Sequence, residues 1–201
     1  MPLSSLNYYS TQFMLSITNI HYLPVDIGAE IAFAGRSNTG KSSLLNILSN
    51  QKKLAYVSKK PGRTRSINYF QVIQGKRIVD LPGYGYAEVA HKIKQNWQSI
   101  LTKYIQKRKT LKGLVLLMDI RRPLTNLDRK IIKQTTENHI PILLLLSKAD
   151  KLAVSARNIQ IKLVAKAMLE FRGDIDIDIL SSIEQVGIDT LRNKLNNWFH
   201  K

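Results

Sequence analysis

Glu30-Ile-Ala-Phe-Ala-Gly35-Arg36-Ser37-Asn38-Thr39-Gly40-Lys41-Ser42 decides the fold of this chain. A strand-length apolar run enters a GxxxxGK[ST] loop, and Leu44, Leu45 and Leu48 then recur at helical spacing. Glycines let such a loop curl so that consecutive N–H groups aim at phosphate oxygens, reinforced by the positive end of the following helix. The spacing therefore predicts a phosphate-binding loop over residues 35–42, with Lys41 across the β- and γ-phosphates and the Ser42 hydroxyl on Mg²⁺. A plain Gly-rich turn capping a helix is the alternative, disfavoured by the position directly between strand and helix.

Outward from this loop, apolar runs alternate with helix-period segments, the signature of an α/β layer fold with a mostly parallel sheet. Strands are expected at 30–34, 67–72, 77–81, 114–119, 142–146 and 175–180, and helices at 41–48, 91–107, 127–138, 155–171 and 188–199. Gln74-Gly75 reads as a hairpin turn, which makes one strand antiparallel. The prediction is a single α/β domain of six strands and about five helices over residues 30–201, with residues 1–29 as an extension packed on it.

At 201 residues and 44% hydrophobic composition the chain can bury one substantial core. It has no apolar run of about 18 residues, so no membrane span is expected. The N-terminus lacks a signal-peptide pattern, and zero Cys excludes disulfides and thiolate catalysis, which fits a cytoplasmic protein. The net charge of +17 is unevenly spread. Residues 31–135 hold 22 Lys and Arg against Asp80, Glu88, Asp119 and Asp128, whereas residues 136–201 are nearly balanced. Such asymmetry suits a polyanion, with nucleic acid favoured over a membrane surface or a merely solubilising face.

Three further motifs bear on the nucleotide. Asp80-Leu81-Pro82-Gly83 follows a strand, where Asp80 would reach Mg²⁺ through water and the Gly83 N–H would reach the γ-phosphate. The basic loop at 52–66 contains Gly62-Arg63-Thr64-Arg65-Ser66, and Thr64 is the candidate to close over Mg²⁺ and the γ-phosphate, ahead of Ser58 and Ser66. Ser147-Lys148-Ala149-Asp150 follows a buried strand. The acceptor-only carboxylate of Asp150 matches the two donors of guanine, N1–H and the 2-amino group, which adenine lacks there. Lys148 would lay its stem across the base, and Leu180-Ser181-Ser182 would bring backbone N–H groups toward O6. Lys41, Thr64 and Gly83 are thus the residues expected to act on the reacting phosphate. The four histidines show no metal-ligand spacing, and Trp97 and Tyr104 sit at helical period as core or partner surface.

These stretches, together with Phe13, Leu23-Pro24, Asp80-Leu-Pro-Gly-Tyr-Gly-Tyr-Ala87, Asp119-Ile-Arg-Arg-Pro123 and Leu127-Asp128, resemble the EngB (YihA/YsxC) family of bacterial GTPases over nearly the entire chain. The resemblance implies a Ras-like P-loop GTPase fold and Mg²⁺-dependent GTP hydrolysis. It also implies a role in assembling the large (50S) ribosomal subunit, and a need for the protein in cell division and septation. The guanine motif of such families usually opens with Thr or Asn; Ser147 keeps a hydroxyl that would tie this loop to the phosphate loop. Tyr84 stands where other GTPases carry a water-orienting Gln. With a reference pKa near 10 it is a poor base, so slow unaided hydrolysis is expected. Asn38 resembles the phosphate-loop Asn that some related GTPases use to bind K⁺.

The leading reading is a monomeric GTP/GDP switch that presents its basic surface to ribosomal RNA and the large ribosomal subunit. Two other readings stand beside it: an RNA- or protein-binding module whose guanine nucleotide is structural, and an ATP-using P-loop enzyme, which would require Asp150 to lie elsewhere.

Overall fold

The structure, a computed structural model, describes residues 6–55, 66–85 and 91–201, with side chains in the last stretch from residue 99 onward. In chain order the elements are β1 (Gln12–Ile17), β2 (Ala29–Gly35), α1 (Lys41–Leu48), β3 (Ile67–Ile73), β4 (Lys76–Asp80) and α2 (His91–Lys107). They continue with β5 (Leu111–Asp119), α3 (Asn126–Glu137), β6 (Ile142–Ser147), α4 (Val154–Met168), β7 (Ile175–Leu180) and α5 (Ile188–Phe199). The strands form one sheet in the order β1-β3-β4-β2-β5-β6-β7. β3 runs antiparallel to β1 and β4, and the other described pairs are parallel.

The sheet has seven strands where the sequence pattern predicts six. The additional one is β1, inside the 1–29 segment. As an edge strand it buries little, leaving Phe13 and Met14 at 54% and 40% exposure, so its apolar residues give no clean alternation.

Continuous apolar runs in β2, β5 and β6 reflect burial on both faces. Ala32, Ala34, Leu114, Leu116, Met118, Ile142, Leu144 and Leu146 face a core that also contains Tyr104, Ile131 and Val164 of α2, α3 and α4. The alternate residues Ile31, Phe33, Val115, Leu117, Leu143 and Leu145 join α1 and α5 through Leu44, Leu48, Leu191 and Trp198. At Gly113 a β-carbon would fall 2.3 Å from Trp198 Cε3, so the indole sits directly on the β5 backbone. Thr125 and Asp128 form a reciprocal capping box that starts α3 at Asn126.

Glu30, fully buried at the start of β2, accepts from Tyr104 Oη (2.7 Å), Arg108 Nε (2.8 Å), Arg108 Nη2 (2.6 Å) and Arg77 Nη1 (3.2 Å). These bonds fasten the end of α2 to the sheet. At the opposite, carboxyl edge, Gly35, Asp80, Asp119, Ser147 and Leu180 end their strands side by side, where open α/β sheets bind ligands.

Candidate functional site

The loop from Gly35 to Gly40 is a tight backbone structure. Gly40 has φ +95°, a left-handed conformation that favours glycine, and Gly35 has no room for a β-carbon, which would lie 2.7 Å from Leu117 O. Asn38, exposed, also takes a left-handed φ of 61°. Thr39 closes the turn by donating its hydroxyl to Arg36 O at 2.7 Å. α1 begins at Lys41, which places Ser42 in its first turn.

The motif after β4 lies along this loop. Leu81 N donates to Phe33 O (3.0 Å), Tyr84 N to Gly35 O (3.3 Å) and Ser37 N to Tyr84 O (2.9 Å). Gly83 is buried against Ser37, where a β-carbon would lie 3.4 Å from Ser37 Cα. Leu81 and Pro82 are buried beside it. Lys41 and Asp80, both buried, form an ion pair between the phosphate loop and the end of β4. Ser42 and Asp80 offer the hard oxygen donors that Mg²⁺ prefers, so the residues present fit that ion. Among the described residues no cluster of His, Cys, Asp or Glu could hold a metal alone, so phosphate oxygens and water must complete such a site. Gly62, Arg63, Thr64 and Arg65 lie outside the described residues; Ser66, next to them, donates its hydroxyl to Asn68 Oδ1 at 3.2 Å.

At the head of β6, Lys148 adopts a left-handed φ of 60° and Ala149–Lys151 form a 3-10 turn that presents Asp150. Ser181, just after Leu180 at the end of β7, donates its hydroxyl to Asp150 Oδ1 at 3.0 Å. Asp150 Oδ2 is buried without a hydrogen-bond partner, although Lys151 Nζ stands 3.1 Å away. Burial works against the charged form of Asp150, but Lys151 and Ser181 outweigh it and hold its carboxyl below the usual range. The arrangement is an ionised acceptor, oriented by a neighbouring hydroxyl, whose second oxygen faces only Lys151 among the described residues.

A family model described as "50S ribosome-binding GTPase" matches residues 30–148, more than half of the chain. Curated relatives named "Probable GTP-binding protein EngB" from Salmonella newport (strain SL254) and Salmonella typhi are each 54% identical over 197 residues, covering 98% of this chain and 94% of theirs. The chain belongs to the EngB family of GTP-binding proteins. A crystal structure of a probable GTP-binding protein engB shares the fold with TM-score 0.69 at 23% identity, covering 86% of this chain and 99% of that one. A point variant of Aquifex aeolicus Era bound to GDP·AlF4⁻ shares it with TM-score 0.66 at 20% identity, over 86% and 57% of the two chains.

Three features of this EngB chain go beyond its motifs. First, the Ser147 hydroxyl donates to Met118 O at 3.1 Å and so ties the guanine loop to β5, where a tie to the phosphate loop is the sequence expectation. Second, the Ser181 backbone N–H, expected toward guanine O6, donates to Val186 O at 3.1 Å, while its hydroxyl meets Asp150; Ser182 follows, half-buried. Third, Asp119 accepts Lys148 Nζ at 3.1 Å and Arg121 Nε and Nη2 at 2.9 and 2.7 Å. These bonds, Arg121's first, hold the Asp119 carboxyl well below the usual range. Asp119 pairs in register with Ser147, so its place at a strand end beside the guanine motif is the signal that could have found it.

Tyr84 is turned inward. It is 5% exposed, and its hydroxyl donates to Asp128 Oδ1 at 2.5 Å. Burial, then the Asp128 charge, pushes its pKa well above the ordinary value. The side chain at the position of a water-orienting Gln is therefore part of the packing between the Gly83 turn and α3.

Proposed function

We propose that this chain is a Mg²⁺-dependent GTP switch that hydrolyses GTP slowly and acts in assembly of the large (50S) ribosomal subunit. The observation that carries the nucleotide part is Asp150: a largely buried, oriented, ionised acceptor at the sheet's carboxyl edge, beside a phosphate loop whose Lys41 meets Asp80. Asp150 would accept from guanine N1–H and the 2-amino group, while Lys148 packs on the base and Leu180, Ser181 and Ser182 flank it. Lys41 and the loop N–H groups would hold the phosphates. Gly83 would sense the γ-phosphate with Thr64, and Ser42 and Asp80 would hold Mg²⁺, which neutralises phosphate charge when bound. The ribosomal part is supported by the family description and by the basic excess over residues 31–135. Within this reading the chain is a cytoplasmic monomer, residues 30–201 are the GTPase domain with 1–29 as its extension, and loss of the protein impairs cell division and septation. Among the described residues no helix is long and apolar enough to cross a membrane.

Tyr84, committed to Asp128, is not available to orient the attacking water. Hydrolysis then needs a partner, or K⁺ held at Asn38 against the phosphates. The same observation favours one alternative, a ribosome- or RNA-binding module with a structural guanine nucleotide. The experiment is competition of labelled GDP by GDP, GTP and ATP, followed by GTP turnover with and without large ribosomal subunits, in K⁺ and in Na⁺. Displacement by guanine nucleotides only, with turnover raised by subunits, supports the switch; equal displacement by ATP removes it, and turnover indifferent to subunits and ions leaves the binding module.

A further inference from the structure

A nucleotide bound as proposed has to cross the sheet. Its base partners, Asp150 and Ser181, stand beyond the ends of β6 and β7, its phosphate loop follows β2, and the strand order β2-β5-β6-β7 leaves the carboxyl end of β5 between them. That end is Asp119, in register with Ser147 of β6. The Lys148 side chain starts one residue beyond Ser147 and ends at Asp119, with Nζ 3.1 Å from Oδ2. Its aliphatic stem therefore runs from β6 to β5, along the path from base to phosphates. Asp119 is itself held firmly. Oδ1 accepts the Arg121 backbone N–H at 3.1 Å and Arg121 Nε at 2.9 Å, and Oδ2 accepts Arg121 Nη2 at 2.7 Å. Such a fork of two donors fixes the plane of a carboxylate as well as its position. The backbone beside it is pinned too, since Ile120 N donates to Ser147 O at 3.0 Å. A lysine side chain has many rotamers to lose, and holding one in place before a ligand arrives removes that cost from binding.

We infer that Asp119 is a positioning residue for nucleotide binding: it anchors the Lys148 ammonium so that the stem is laid out as a floor for the base and ribose. The inference rests on the guanine-nucleotide reading above and adds to it a residue outside the phosphate-loop, Asp80–Gly83 and guanine motifs. Asp119 acts through Lys148 alone, with Arg121 fixing the carboxylate. The face of a base is much the same in guanine and adenine, so the anchor strengthens binding of either and leaves the choice between them to Asp150. The opposite role, in which Asp119 draws Lys148 away from the base, would make the same contact an obstacle and reverse the sign of its removal.

The test uses the full chain and labelled GDP and ADP, with association and dissociation followed by stopped-flow fluorescence. Asp119→Asn keeps the shape and removes the charge. It is expected to weaken GDP about three- to tenfold, mostly through faster dissociation, at an unchanged ratio of GDP to ADP affinity. The unchanged ratio distinguishes it from Asp150→Asn. In a Lys148→Ala background the same substitution should have no further effect, a coupling that a merely structural role of Asp119 would not produce. Asp119→Ser closes the same cycle should the amide variant fold poorly, and the Tm of each nucleotide-free variant checks that it is folded. Unaltered or tighter GDP binding in Asp119→Asn overturns the inference, as does a loss that persists in full beside Lys148→Ala. The two readings fail separately. A natural chain that binds ADP as well as GDP removes the guanine reading, while the cycle, run on either nucleotide, still decides the anchor; a natural chain that binds neither overturns both.

Discussion

Tyr84→Phe separates packing from chemistry at the position after Gly83. The ring stays and no cavity opens, so the change removes one hydrogen bond, 2.5 Å long, from a buried carboxylate. Asp128 keeps the Thr125 backbone N–H at 2.8 Å and its hydroxyl at 2.7 Å on the other oxygen, but Oδ1 loses its donor in an environment 1% exposed. A bond to a charged group contributes about 1.5–3 kcal/mol, and in a chain of this length each kcal/mol moves Tm by about 2–4 °C. A loss of about 2 kcal/mol thus lowers Tm by about 4–8 °C. Intrinsic GTP hydrolysis, measured by phosphate release under single-turnover conditions on the folded protein, should stay within about threefold of the natural chain, since the hydroxyl is committed to Asp128. A tenfold or greater fall in hydrolysis at unchanged Tm would refute the reasoning, because it would mean that the hydroxyl leaves Asp128 to act on the reacting water.

Three further outcomes follow from other contacts. Asp150→Asn replaces an acceptor pair with one acceptor and one donor facing guanine donors, so GDP affinity should fall about ten- to hundredfold and its preference over ADP should shrink, as read by competition with labelled GDP. Glu30→Ala leaves Arg77 and Arg108 buried without their carboxylate and should cost about 3–5 kcal/mol, seen as a lower urea midpoint at unchanged slope. Asp178 has a raised pKa because burial opposes its charge, and its Oδ2 is buried without a partner. A carboxyl raised in the folded state adds stability only in acid and loses it as pH rises through that pKa. Asp178→Asn should therefore raise Tm at pH 7, and the gain should vanish as the pH falls toward about 4.

The parallel core strands were legible in the sequence because they are buried apolar runs, and the helices by their length and spacing, although α4 buries only Val164 and Met168 and leaves Ile159, Leu163 and Leu169 exposed. β7 and α5 fall on the expected residues, 175–180 and 188–199. β1 was not legible, since an edge strand holding Phe13 and Met14 toward solvent does not alternate. At the candidate site, spacing singles out Lys41, Asp80, Gly83 and Asp150 because each is expected at a fixed offset from a strand end. It says nothing of direction. Tyr84 follows Gly83, the expected γ-phosphate sensor, yet points into α3, a fact that depends on Asp128, 44 residues away, being free to accept. Ser181 and Asp119 are likewise defined by partners on neighbouring strands, contacts that one-dimensional spacing does not contain.

The basic excess is the feature most easily over-read. Of the cations in residues 31–135, Arg77 and Arg108 are buried on Glu30, Lys41 is paired with Asp80, and Arg121 is closed on Asp119 with Lys148. Arg77, Arg108 and Lys41 are buried, so their charges are met inside the protein, whereas Arg121 is half exposed and its pair still faces solvent. Each such pair also takes up an acid, so the net +17 is left almost unchanged and rests on the cations outside these pairs. It follows that the salt dependence of RNA binding should report fewer phosphate contacts than the 22 Lys and Arg of residues 31–135. A slope as steep as the whole basic count would imply instead that the buried pairs open on binding, which the folding cost of freeing Glu30 makes unfavourable.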